Sequence, residues 1–131
     1  MKNLLAGAAL LLLVSGCSSP QVPAPLELTD FIEMLKEQGV DGKLAVREPI
    51  NSDMEYVAEY AVAKYTSTRI ISLFKLRDSD AAERNLQQAL QNEKLSGQAR
   101  NGSFVMAATF FPPDDEAAEQ IKTLFLEHRF E

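Results

Sequence analysis

The chain has a single cysteine, Cys17, standing directly behind an apolar run. No disulfide can form within the chain, so whatever follows must be held by an apolar core. The run from Leu4 to Val14 is preceded by Met1-Lys2-Asn3 and followed by Ser15-Gly16. A positive start, an apolar centre of roughly 7 to 15 residues and small residues at its end are the features of a secretory signal; a spanning helix needs roughly 20 apolar residues. The segment is too short to span, and residues 1–16 read as a cleaved signal peptide. The 115 residues that remain suffice for one modest core and not for two domains.

Val14-Ser15-Gly16-Cys17 resembles the lipobox of bacterial lipoprotein precursors, with Val14 where leucine is commonest. The resemblance covers about the first 20 residues. It implies that Cys17 becomes the first residue of the mature chain, that its sulfur carries a diacylglycerol group and that its new amine is acylated. One acyl chain holds a protein marginally, whereas two or three make attachment stable without a spanning segment. Ser18 follows, and in Gram-negative members a residue other than Asp there implies sorting to the outer membrane, with the protein facing the periplasm.

The mature part carries 12 Lys and Arg against 19 Asp and Glu, a net charge of −7. This balance argues against nucleic acid and against an electrostatic grip on anionic lipid, both of which favour clustered cations. Membrane contact is expected through the anchor alone. Ser18 to Pro25 holds three prolines without apolar periodicity and reads as an extended spacer reaching roughly 25 Å, at ~3.1 Å per residue. Residues 17–27 are thus assigned to the lipidated cysteine and spacer, and 28–131 to one domain.

In the domain, a first helix is expected from Thr29 or Asp30, where Asp30 and Glu33 have capping-box spacing, to Gly39, with Phe31, Ile32, Met34 and Leu35 as its apolar stripe. Lys43 to Glu48 reads as a short strand between Asp41-Gly42 and Pro49. Residues 53–65 are ambiguous. Ser52 and Glu55 with Tyr56, Val57, Tyr60 and Ala61 fit a helix, yet Ala58, Tyr60, Val62 and Lys64 alternate with Glu59, Ala61 and Ala63. A hairpin turning at Thr66-Ser67 into the next strand is preferred.

That strand, Thr68 to Arg77, has Ile70, Phe74 and Leu76 on one face and Ile71 and Leu73 on the other, so it should be central. Asp78-Ser79-Asp80 supplies N-cap candidates for a helix to about Asn92, with the stripe Ala82, Leu86, Ala89 and Leu90. Asn101-Gly102 turns into a strand over Phe104 to Phe110, which Pro112-Pro113 stops. Asp114, Asp115 and Glu116 open a final helix with the face Ala117, Ala118, Ile121, Leu124, Phe125 and then His128. The expected fold is α+β: a small, mainly antiparallel sheet with helices packed on one side.

Chemistry-bearing patterns are sparse. Metal sites need clustered His, Cys, Asp or Glu, and the chain has one histidine and one cysteine already assigned to lipid. Asp78-Ser79-Asp80 lacks the glycine and the final glutamate of a calcium loop. His128 has no nucleophile at a telling spacing, although Ser72 and Ser103 exist. No phosphate-binding glycine loop occurs, and no cofactor is expected. Glu59 among Tyr56, Tyr60 and Tyr65 is the candidate binding surface, because tyrosines offer broad area with a polar tip. These features point to a membrane-anchored envelope lipoprotein with a small, non-catalytic domain that contacts another protein. A small ligand-binding or glycan-binding lipoprotein is the alternative.

Overall fold

The computed structural model describes residues 23–62 and 68–130. Cys17 and its flanks, the spacer up to Val22, and Lys64, Tyr65, Thr66 and Ser67 lie outside the described residues. The elements run α1 (Leu26–Glu37), β1 (Gly42–Arg47), β2 (Met54–Val62), β3 (Thr68–Leu76), α2 (Ser79–Leu90), β4 (Ser96–Asn101), β5 (Phe104–Phe111) and α3 (Asp115–Glu127). They form one α+β domain around an open five-stranded sheet of order β1-β2-β3-β5-β4, antiparallel throughout.

Helix α1 begins earlier than its capping-box spacing predicts. Pro25 occupies the N-cap position without a side-chain cap, and its carbonyl accepts from the N–H groups of Leu28 (3.1 Å) and Thr29 (3.0 Å). Leu26 and Glu27, assigned to the spacer from sequence, form the first turn because Leu28 is fully buried. The helix ends as the glycine signal indicates. Gly39 adopts φ 91° and its N–H donates to Lys36 C=O, while Val40 N–H reaches Leu35 C=O at 2.9 Å. This is a Schellman closure, and Val40 packs on the core beside the residue it bonds.

The residues over 54–62 are a strand, and β2 pairs with β3 as the preferred hairpin. The alternation decides this outcome: Tyr56, Ala58 and Tyr60 face the core, leaving Glu59 and Ala61 on the opposite face. Strand β3 is central, as its two apolar faces require. Strand β4 is absent from the sequence reading, since Ser-Gly-Gln-Ala-Arg-Asn has neither branched nor aromatic residues. It is held by tertiary bonds: Gln98 Nε2 donates to Ala89 O (3.0 Å), Arg100 pairs with Glu83 (3.1 Å), and Asn101 Nδ2 donates to Phe125 O and His128 O.

The helices do not share one face. Leu28, Phe31, Ile32 and Leu35 of α1 and Ala118, Ile121 and Phe125 of α3 pack with Val46, Tyr60, Leu73 and Met106 in the main core. Helix α2 lies across the other face, where Ala81 and Ala82 meet Leu76, Val105 and Phe74. Asp78 caps it as its sequence indicates, its carboxylate accepting from Ala81 N–H at 2.8 Å. Leu90, assigned to the buried stripe from sequence, is 52% exposed, and the cluster under α2 draws on β3 and β5 and, from β2, on Met54 alone. The β1-β2 end of that face has no helix over it among the described residues.

Candidate interaction surface

The β2-β3 hairpin is internal to the sheet, whose edges are β1 and β4. They differ physically. Strand β4 is kinked by a register shift between Ser96 and Ala99, lies between α2 and α3, and has its polar side chains bonded to both helices. Such devices close an edge. Strand β1 has a regular register against β2 from Gly42↔Val62 to Arg47↔Val57, and no strand pairs with its outer side among the described residues.

The start of β1 is set by three contacts. The Schellman turn delivers the chain, Tyr60 Oη donates to Val40 O at 2.8 Å, and Asp41 Oδ1 accepts from Gly42 N–H at 3.0 Å. From there, alternation places Leu44 and Val46 toward the core and Lys43, Ala45 and Arg47 on the uncovered face. A shallow groove of about 610 Å³ follows the strand, lined by Lys36 of α1, Lys43, Ala45 and Arg47 of β1, Glu59 of β2 and Ile70 of β3. Arg47 Nε stands 3.5 Å from Glu59 Oε1, with both side chains about two-fifths exposed (41% and 44%). Lys36 and Lys43 have no ion-pair partner among the described residues. A domain of negative overall charge thus carries a local cluster of three cations against one acid beside its open edge.

The sequence candidates are separated. Tyr56 and Tyr60 are in the core, Tyr56 donating to Glu27 Oε2 at 2.9 Å. Burial, reinforced by the Glu27 carboxylate, pushes the Tyr56 phenol well above its ordinary range. Burial, then the Asp41 charge, also raises the Tyr60 phenol. Both rings brace α1 and its exit turn, and neither lines a surface with Glu59, which points to the other face. The reason is the strand period: positions 56 and 60 share one face and position 59 the other. Tyr65 lies outside the described residues. Lys43 and Arg47 were missed, and their spacing of four in a strand, which puts both cations on one face, was the available signal.

A second concave region, about 550 Å³, lies between the α1 exit turn and α3, with Val40, Val62, Phe110 and Leu124 among its walls. Its polar feature is the pair of Arg69 Nη2 and Asp114 Oδ2 at 2.7 Å, the guanidinium standing 4.9 Å above the Phe110 ring. Asp114 also caps α3, its Oδ1 accepting from Ala117 N–H at 3.1 Å. Both carboxylate oxygens are engaged, so the group ties β3 to α3. The Arg69 hydrogen bond, then the Ala117 N–H, hold the Asp114 carboxyl below the usual carboxylate range.

A carboxyl whose folded-state value is depressed contributes stability that is present above its unfolded value and is lost as pH falls through the folded one. Asp114→Asn should therefore lower the urea midpoint at neutral pH and flatten its decline between about pH 4 and pH 2. Asp78, also depressed by its cap to Ala81, leaves part of that slope in place. An acid limb unchanged in the variant would show that the Arg69–Asp114 pair contributes nothing to the linkage.

His128 follows α3 instead of lying on its face, and its ring packs 5.2 Å from Phe31 and 4.7 Å from Phe130. Ser103 lines the same 330 Å³ recess, but its hydroxyl accepts from Lys75 Nζ at 2.6 Å. Ser72 is in β3, on the face away from the main core. Among the described residues no group of three or more His, Cys, Asp or Glu side chains is placed to hold a metal, and no helix is long and apolar enough to cross a membrane. Comparison of the chain with protein-family models, curated proteins and solved structures gave no match.

Proposed function

We propose that this chain is a lipid-anchored envelope protein, attached through Cys17 to the outer membrane and facing the periplasm, whose non-catalytic domain binds another protein along β1. The anchor rests on the residues Val14 to Cys17. The open β1 edge carries the binding assignment: a regular strand with a free outer side beside an uncovered sheet face is a template for an added strand. Backbone bonds supply affinity in such complexes, and alternate side chains supply selectivity. The glycan-binding alternative places Tyr56, Glu59, Tyr60 and Tyr65 at a surface; Tyr56 and Tyr60 are buried, and Tyr65 lies outside the described residues.

Two measurements test the two halves separately. Cys17→Ala should abolish acylation by intact mass and move the protein from the membrane to the soluble fraction; an unmodified wild-type chain in the soluble fraction would remove the anchor. A photo-crosslinking residue at position 43 or 45 of the anchored protein should capture an envelope protein that the same residue at exposed position 90, beyond the groove, does not. Equal capture at both places, or none at β1, would remove the assignment to this edge.

A further inference from the structure

Which partner fits the β1 edge follows from what stands along it. We infer that its occupant is an extended segment of another protein, alternating in pattern and carrying two carboxylates four residues apart; this rests on the strand-addition reading above. Lys43 and Arg47 project from the same face of β1, four residues apart, with the small Ala45 between them, and Lys36 of α1 lines the same groove. On an added strand, residues spaced by four likewise share one face, so two acids at that spacing sit beside the two cations, with a small residue beside Ala45. The intervening side chains continue the apolar row of Leu44 and Val46. Opposite charges across neighbouring strands attract, and like charges repel.

In the register centred on Ala45 the same residues disfavour a second copy of this chain. Antiparallel pairing of two β1 strands about Ala45 sets Lys43 against Arg47 at both ends. Shifting the register by one residue moves the apolar side to the wrong face. The local charge is also opposite to that of the domain as a whole. The groove therefore selects an acidic strand where the rest of the surface repels one.

The probe is a synthetic nine-residue peptide with glutamate at its third and seventh positions, alanine at its fifth, and valine or threonine elsewhere. Its binding to the purified full-length protein in detergent is followed by fluorescence anisotropy. It should bind with an affinity that falls as salt rises, and replacing both glutamates by glutamine should weaken it roughly three- to tenfold. The double variant K43E/R47E should prefer a peptide with lysines in place of the glutamates. N-methylation of one alternate set of peptide amides should abolish binding, while methylation of the other set leaves it, because only one set faces β1.

The arms separate the two levels of inference. Equal affinity for the glutamate and glutamine peptides, with the methylation pattern intact, overturns the acidic-partner inference and leaves strand addition standing. No binding by any peptide, or methylation without phase, overturns strand addition itself. Binding of vesicles containing phosphatidylglycerol that is lost in K43E/R47E and blocks the peptide assigns the groove to anionic lipid and overturns the inference.

Discussion

Phe31→Ala should lower the unfolding free energy of the domain by about 3–5 kcal/mol, the range for removing a fully buried aromatic ring. Phe31 is 0% exposed and joins both helices of the main core to the C-terminal residues. Its ring meets Phe125 edge-on at 6.0 Å, and Phe130 at 5.3 Å. Phe130 in turn stacks on Phe104 of β5 at 4.3 Å, so the ring links α1 to the sheet through α3 and the tail. Removing it leaves a cavity whose walls are other rings, which relax poorly. A small domain has roughly 5–15 kcal/mol in total, so the variant should unfold at a far lower urea concentration. Leu90→Ala, at a half-exposed position, should stay within about 0.5 kcal/mol. Equal midpoints for the two variants would show that the α1–α3 contact does not hold the domain together.

Gly42→Val should cost roughly 3 kcal/mol, the upper end for forcing bulk into filled space, and should act on one edge of the sheet. A Cβ at Gly42 would collide with the Ala61 carbonyl oxygen, 2.9 Å from its carbon and 3.0 Å from Val62 Cα. All three are backbone atoms of the partner strand, and no side chain can swing aside. The glycine is needed for close approach, since its φ is not among the positive values of the chain. Hydrogen exchange should show the amides between β1 and β2 losing protection while those between β3 and β5 keep theirs. Peptide binding should disappear with the edge that provides it. Lys43→Val, on the open face one residue on, should leave stability within about 0.5 kcal/mol. Intact β1 protection in Gly42→Val would show that the strands separate there at little cost.

Much of the fold is legible locally. The stripes of α1 and α3 repeat at helical spacing, Asp78 reads as a cap candidate and accepts from Ala81 N–H, the acids from Asp114 to Glu116 mark the start of α3, and Gly39 closes α1. The alternation of residues 54–62 was readable too, although its helical rival had a capping-box spacing in its favour. Strand β4 was not legible, because Gln98, Arg100 and Asn101 earn their places through partners 9, 17 and 24 residues away. The tyrosine surface failed for a related reason. A phenol is equally suited to a wet rim or to a core with a buried acceptor, and Glu27 and Val40 supply the acceptors from outside the strand.

By itself the sequence determined which residues of a strand share a face, that acids mark the starts of α2 and α3, and that the single cysteine directly follows a short apolar run. These follow from periods and pairings spanning a few residues. The tertiary structure alone decided that α2 crosses to the opposite face, that β1 is an open edge while β4 is enclosed, and that Lys36 joins Lys43 and Arg47 in one groove. A period of two states which side chains lie together and says nothing of what lies across from them. The neighbour of each face is set by how all the elements bury their apolar surface at once.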